Sequence, residues 1–323
     1  MSKTDTPADF SAPIRVGLLL VPGFALMGYA ALVEAFRAAN TLSGRALYAW
    51  VHISPDGEAS EASNGARIVA DARAGQSIDC ARLFVFAGGD PRAFDHSVTI
   101  SWLRLLARQG TVIGGVSGGP YVLARAGLLA GRRATVHWEH MPAMRAQFPD
   151  VLLESGLYVI DGPVITCAGG TAGLDLALAL IERDHGAGLA QQVGDWFIRT
   201  AARDAGGPQR LSPAERHGTT NAAVLRALAL IEARIERPPL REELARAAGV
   251  SLRQLERLFL AHLGRGVADM AMTIRLDAAA QRLRTTDEPV TTVALDCGFA
   301  SAAHFSRRFR ARYGVAPSAL RKV

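Results

Sequence analysis

The sequence predicts two domains: an open, mostly parallel α/β sheet with helices on both faces, followed by an all-α domain with two helix-turn-helix motifs. Three observations carry this. Apolar runs that end in glycine turns and lead into helical periods recur through residues 14–202. A fifty-residue offset relates two arginine-rich segments of the last third, pairing Ser251 with Ser301, Arg257 with Arg307, Phe259 with Phe309 and Gly264 with Gly314. The excess of positive charge is confined to that third: residues 211–323 hold 18 Lys/Arg against 11 Asp/Glu, a net +7, which leaves −1 for the remainder.

A chain of 323 residues can build two separate cores. Its 49% apolar and 20% charged residues are ordinary for a globular protein. Cys80, Cys167 and Cys297 are widely spaced and odd in number, so neither a disulfide framework nor a zinc site is expected, and no metal or other cofactor is implied. Residues 1–13 are polar, are expected to be disordered, and lack a signal-peptide pattern. The apolar run 16–33 is broken by Pro22, Gly23 and Gly28, so it reads as strand, turn and helix rather than a membrane span. A cytoplasmic protein with no membrane partner is the expectation.

Within residues 14–202, "RVGLLLVPG" suits a buried parallel strand, and "ALVEAFRAAN" has helical spacing. "ARLFVFAGGD" is a second strand and turn. "TVIGGVSGGPYVLARAGLL" is a third strand, a glycine turn and a helix, and "GPVITCAGGTAGLDLALALIERDHG" repeats that order. Sites in such sheets form at the C-terminal ends of the strands, so the turns at Gly88-Gly89, Gly118-Gly119 and Gly169-Gly170 should gather around one crevice.

"GVSGG", residues 115–119, matches G-x-S-x-G, which places Ser117 on a strand-to-helix turn with its hydroxyl exposed. The plain alternative is a tight turn in which serine is merely small and polar. Hydrolases of this pattern place an acid and then a distant histidine after the serine, whereas His137 follows by only 20 positions. Backbone N–H groups after Gly88-Gly89 and at the elbow would form an anion nest suited to a carboxylate. Gly89, Ser117, Gly118 and His137 are therefore candidate ligand contacts. Trp138 beside Glu139 offers a cationic head group an aromatic face and a carboxylate, with core packing an equal alternative for Trp138. Met27 and Glu34 would border the crevice from the first strand-helix connection, and Glu34 reads equally well as the partner of an arginine.

Residues 14 to about 200 resemble a class I glutamine amidotransferase-like domain of the intracellular protease/amidase type, a flavodoxin-like sandwich. The resemblance implies a cysteine on the elbow and a histidine about one helix later. Here Ser117 stands at the elbow, followed by "PYVLARAGLLAGRRAT" and His137. The acidic residue that many members carry soon after the first strand falls near Gly28 and is missing. A hydroxyl needs an oriented general base where a thiolate does not. The departures imply a degenerate elbow without catalytic residues: a pocket reused for binding, and no enzyme.

Residues 203–220 are rich in Gly, Pro, Ser and charge and read as a linker to a domain at 221–323. After the helix "NAAVLRALALIEARIERP", Leu240, Leu244 and Ala248 trace an apolar face and Gly249 ends that helix. Ser251 can cap the next helix, with Leu255, Leu258, Phe259 and Leu263 inward and Arg253, Gln254, Glu256 and Arg257 outward. That N-terminal half is the part that enters the groove in helix-turn-helix proteins. In the second copy, Val290, Val293, Ala294 and Cys297 form the stripe, Ser301 caps, and Phe305 and Phe309 pack. Ala302, Ala303, Ser306, Arg307, Arg308 and Arg310 are left for the exposed face. "VADMAMTIRLDAAAQRLRTT" would bridge the two copies rigidly. The plain alternative is a helical domain with solvated arginines.

"VTTVALDCGFASAAHFSRRFRARYGVAPSALR" resembles the signature of the second motif of the AraC family along its whole length, and residues 221 to about 320 resemble that family's DNA-binding domain. The resemblance implies two recognition helices in successive major-groove segments about 34 Å apart, with steeply salt-dependent affinity. Arg253 and Arg257 are then the first choices for base or phosphate contact, Arg307 and Arg308 the next. Ala302 and Ala303 would offer apolar contact to thymine methyls. Gln254, Ser251, Ser301 and His304 complete the DNA-facing set. Together the domains resemble GlxA-type AraC-family transcription factors, and "GGVSGGPYVLARAGLL" with "TVHWEH" resembles their betaine/carnitine branch. That implies an activator of a catabolic operon responding to a betaine, carnitine or amino-acid-like metabolite. The partners implied are promoter DNA, RNA polymerase and a second copy through the N-terminal domain. Two rival readings are a Ser-dependent amidase tethered to DNA and a sequence-independent nucleoid protein; the near-neutral N-terminal domain argues against the latter.

Overall fold

The computed structural model describes residues 12–286 and 288–322; residues 1–11 of the expected disordered N-terminus lie outside the described residues. The chain divides into two compact units, Met1–Gln209 and Arg210–Val323.

The first unit runs β1 Ile14–Leu20, α1 Leu26–Ser43, β2 Tyr48–Ser54, β3 Ser60–Glu61, β4 Arg67–Ile68, β5 Ala72–Arg73, β6 Arg82–Ala87, α2 Ser97–Arg108, β7 Val112–Ser117 and α3 Gly119–Arg125. It continues with β8 Arg133–Ala134, α4 Met141–Gln147, β9 Leu152–Leu153, β10 Tyr158–Asp161, β11 Val164–Cys167, α5 Ala172–His185 and α6 Ala187–Trp196. Among the described residues the main sheet has the order β10-β11-β7-β6-β1-β2-β5, parallel throughout except for the β10/β11 pair. Side chains alternate across it. Val16, Leu18, Phe84, Phe86 and Ile165 pack under α1, α5 and α6, while Leu19, Leu83, Val85 and Ile113 pack under α2 and α3. Order reverses between β1 and β6, and the crevice rule places the site outside the carboxyl ends of those strands.

At the opposite end of the sheet, Asp184 near the end of α5 holds the first residues of two strands. Arg82 donates to both its oxygens (2.6 and 2.5 Å), and the Tyr48 hydroxyl donates at 2.8 Å. Burial disfavours the guanidinium charge, but these bonds win and leave Arg82 above its ordinary pKa. Tyr48 in turn stacks on Phe36 of α1, ring centres 4.4 Å apart.

The expected linker is largely structured. Residues 203–209 fold back on the first unit: the Leu157 N–H donates to Ala205 O (2.7 Å), and the Gln209 amide reaches Thr135, Val136 and Gly156. In the second unit α7, Pro213–His217, is closed by a Ser212/Glu215 capping box. Arg216 and His217 tie it to Glu232 of α8, Ala222–Ala233. These are polar tethers, which leave no apolar period in the sequence.

The second unit continues with α9 Arg241–Ala248, α10 Leu252–Leu263, α11 Val267–Thr285, α12 Val290–Asp296 and α13 Ala302–Tyr313, then a 3-10 turn at Pro317–Lys322. It has two cores, and α11 belongs to both: Val267, Met270 and Ile274 enter the first, Leu276, Ala279, Ala280 and Leu283 the second. The repeat is a three-helix unit, α8–α10 and α11–α13. Arg226 of α8 donates to Ala248 O (2.6 Å) at the end of α9, and Arg275 of α11 donates to Cys297 O (2.8 Å) at the end of α12. These pairs are offset by 49 residues, not 50, because the second turn is one residue longer: Gly298-Phe299-Ala300-Ser301 against Gly249-Val250-Ser251. Gly298 sits at φ 74°, where a Cβ would fall 2.5 Å from Ile235 O.

Asp184→Ala strands the Arg82 guanidinium in a largely buried site and should cost the first unit about 3–5 kcal/mol. Urea unfolding followed by tryptophan fluorescence checks it; a loss below about 1 kcal/mol would mean the pair is solvent-screened.

Candidate functional site

β7 delivers Ser117 to the crevice in a left-handed conformation, φ 61°; among the described non-glycine residues it shares a positive φ with Ile198 alone. Holding an L-residue there costs roughly 1–2 kcal/mol. The surroundings leave little choice. A Cβ on Gly119 would lie 2.0 Å from Val85 O, and one on Gly115 2.6 Å from Pro120 N. The other turns close in equally tightly. A Cβ on Gly169 would sit 2.6 Å from Ser117 Cβ, one on Gly88 2.5 Å from Gly23 O, and one on Gly173 2.9 Å from Gly28 O. The glycine turns after β6, β7 and β11 thus meet, as the sequence predicts, and the turn after β1 joins them. Gly28 faces Val116 and Gly169, so the position at which an acid is missing does border the elbow.

His137 is joined to the elbow through its backbone, its N–H donating to Ser117 O at 3.2 Å. Its Nδ1 lies 3.3 Å from Glu139 Oε2. Glu139 is therefore the carboxylate that lies beside the His137 ring, a neighbour that sequence reasoning did not assign to it; the turn made by His140 N–H to His137 O (2.9 Å) brings it round. Among the described residues no hydrogen bond joins the Ser117 hydroxyl to His137. Trp138 is half-buried with its ring 5.4 Å from that of His137, so it is neither core nor fully solvated. Burial, then the neighbouring His137, pushes the His140 pKa down to about 4. Cys167, beneath the Gly169 turn, is fully buried; burial pushes its thiol up to about 12, so it supplies no thiolate near Ser117.

Gly89, φ 56°, leads into Asp90, whose carboxylate accepts from the Arg92 backbone and guanidinium. Burial opposes that charge, but Arg92 holds the Asp90 carboxyl below its usual range. This pair was not foreseen, because i,i+2 charges carry no helical or strand signal. Two expected contacts change. The Gly118 N–H donates to Ala87 O (3.0 Å), tying β7 to β6, and so is unavailable to an anion nest. Met27 is exposed at the start of α1, beside Gly28, but Glu34 lies two turns further, about 10 Å along the helix. Glu34 pairs with Arg37 at 2.7 Å and is not brought to the crevice. Among the described residues no cluster could hold a metal ion, and no helix is long and apolar enough to cross a membrane.

In the second unit, Ser251 Oγ accepts from Gln254 N–H and Ser301 Oγ from His304 N–H, both at 3.2 Å. Arg253, Gln254 and Arg257 are exposed on α10, as are Ala303, Arg307 and Arg308 on α13, whereas His304 is half-buried edge-on to Phe299. Glu256 does not join the exposed face: it pairs with Arg241 and accepts the Val267 N–H (3.1 Å) at the start of α11. Leu240 is exposed because it is the N-cap residue of α9 rather than part of its buried stripe.

Residues 14–183 match the model of the DJ-1/PfpI family, and residues 244–323 that of a helix-turn-helix domain. The chain belongs to the DJ-1/PfpI family. It is 42% identical over 309 residues to the HTH-type transcriptional regulator GlxA of Rhizobium meliloti (strain 1021), covering 95% of each chain. It is 42% identical over 305 residues to the HTH-type transcriptional regulator CdhR of Pseudomonas aeruginosa, covering 94% of this chain and 90% of that one. The crystal structure of an AraC family transcriptional regulator from Pseudomonas putida shares the fold, with a TM-score of 0.51 at 22% identity, over 57% of this chain and 100% of that one. This DJ-1/PfpI chain, with its AraC-type helix-turn-helix domain, is a DNA-binding transcription regulator.

Ser117→Gly should be more stable than Ser117→Ala by about 1 kcal/mol, since only glycine escapes the left-handed strain; chemical denaturation of the two variants tests this. His140 gives a pH signature. Its folded pKa of about 4 lies below the ordinary 6.5, so the unfolded chain takes up the proton first. Its contribution is intact above pH 6.5 and is lost as pH falls toward 4. His140→Asn should flatten the fall in melting temperature between pH 7 and about 4.5; an unchanged slope would assign it to the carboxylates.

Proposed function

We propose that this regulator is an activator of a catabolic operon, switched by a small zwitterionic nitrogenous metabolite such as a betaine, carnitine or an amino acid. The observation that carries this reading is the elbow: its strained backbone is kept, but a hydroxyl replaces the thiol and no bond links it to His137. A crevice with this backbone and no nucleophile suits a ligand that is held rather than cleaved. The Gly88-Gly89 turn and the Ser117 hydroxyl would take the carboxylate, and Trp138 and Glu139 the cationic group. Binding shifts a regulator only as far as the ligand prefers one state to the other. Promoter DNA, RNA polymerase and a second copy, paired through the α/β unit, complete the reading.

A thermal-shift screen of the full chain with glycine betaine, carnitine and arginine tests the effector class, because a ligand of the native state raises the melting temperature by linkage. A second reading, a Ser-dependent amidase, is favoured by the His137–Glu139 pair alone. It requires turnover that vanishes in Ser117→Ala.

On DNA, Arg253→Ala should weaken binding to the cognate upstream fragment and relax discrimination by about 1–3 kcal/mol. Arg308→Ala should weaken all sequences alike and reduce the salt slope by about 1. Fluorescence anisotropy on matched and mismatched duplexes at several salt concentrations separates the two; identical profiles would refute the division of labour between α10 and α13.

A further inference from the structure

We infer that residues 199–209, the last stretch of the α/β unit, form a strap that senses the state of the crevice, with Asp175 and Gln209 as its positioning residues; this rests on the effector reading above. Three clasps hold the strap. Asp175, in the first turn of α5 with its side chain 1% exposed, accepts from both Arg199 and Arg203. Arg203 also donates to Thr171 Oγ1 at 2.9 Å. Ala205 O accepts the Leu157 N–H at 2.7 Å. The Gln209 amide nitrogen lies 3.0 Å from Thr135 Oγ1, 3.0 Å from Val136 O and 2.9 Å from Gly156 O.

Each clasp holds a segment adjacent or hydrogen-bonded to one that contacts Ser117. Thr171 follows the Gly169-Gly170 turn, where no Cβ fits beside Ser117. Val136 precedes His137, whose N–H is bound to Ser117 O. Leu157 O accepts the N–H of Ala168, next to Gly169 (2.8 Å). A ligand that moves these loops by a few tenths of an ångström changes hydrogen-bond lengths along the strap. Residue 210, where the DNA-binding unit starts, is the strap's next residue.

The Gln209 clasp has the character of a switch rather than a rivet. Its amide has two hydrogens for three oxygens. Among the described residues its Oε1 has no hydrogen-bond partner. A clasp with more acceptors than hydrogens has alternative pairings available to it. Asp175, with two guanidinium groups on one buried carboxylate, is the fixed anchor, and Gln209 the movable end.

The test needs no natural effector. Full-length Ser117→Cys is alkylated with iodoacetate, the thiolate displacing iodide, to place a carboxymethyl group in the crevice; because Cys80 is as buried as position 117, the wild-type protein treated in the same way is the control and peptide mass spectrometry locates the added group. Trypsin cleavage after Arg203 and Arg210 is then followed by mass spectrometry under native conditions. Alkylation should change the initial rate at these bonds by about fivefold, as expected for a shift of a local opening equilibrium. Cleavage after Arg145 in α4 should stay constant, which separates coupling from global loosening. In Gln209→Ala, and in Asp175→Asn, the alkylated and unalkylated proteins should be cut at the same rate; Gln209→Ala suffices if Asp175→Asn does not fold. If the thiol does not react, Gly28→Asp, which adds a carboxylate against Val116 and the Gly169-Gly170 turn, is scored identically. Unchanged cleavage at Arg203 and Arg210 with the crevice filled overturns the strap, and so does a rate difference that survives in Gln209→Ala. Either result leaves effector and DNA binding untouched, so failure of the strap is distinguishable from failure of the effector reading.

Discussion

The α/β unit depends on backbones that touch. At Gly88, Gly119, Gly169 and Gly173 there is no room for a single additional carbon, because a carbonyl or the Ser117 side chain already lies within 3 Å of where it would be. The turns after four strands are therefore locked against one another by steric exclusion rather than by any particular side chain. The shape of the crevice therefore does not depend on which side chain stands at its elbow. A thiol can become a hydroxyl, and an acid can become Gly28, without moving the walls. Chemistry and architecture are separable here: one is held by a few side-chain atoms, the other by the absence of side chains.

The same reasoning shows which parts were legible in the sequence. β1, β6, β7 and β11 are near-continuous apolar runs ended by glycine, and each was visible. β2 was not, because four of its seven residues are half-buried and break the run. β10 pairs antiparallel at the sheet edge. The two-residue strands are too short for any period. At the crevice, Ser117 and His137 were legible through motif spacing. The role of Glu139 depends on a turn, and the engagement of Gly118 N–H on a strand-strand bond, and neither leaves a trace in residue type. Glu34 illustrates the opposite error: nearness in sequence to Met27 was mistaken for nearness in space, and helical rise separates them.

In the DNA-binding unit the caps and aromatic anchors of α10 and α13 followed from the repeat. Glu256 did not, because a polar residue at an exposed helical position looks solvated until its partners are known. Held by Arg241 and the start of α11, it removes the carboxylate from the outer face of α10, leaving Arg253 and Arg257 to set the charge there. No equivalent carboxylate exists in α13, where Ser306 occupies that place in the repeat.

α11 gives half of its length to each core. Nineteen residues of helix make a rod of about 28 Å, and because both ends are embedded, neither motif can swivel about it. The protein thus carries its own ruler. Where regulators joined by slack tethers can accept half-sites at several separations, a ruler fixes the phase between the two reading heads. A target with one base pair too many between its boxes presents the second box rotated out of reach, and any accommodation must come from bending or twisting the DNA.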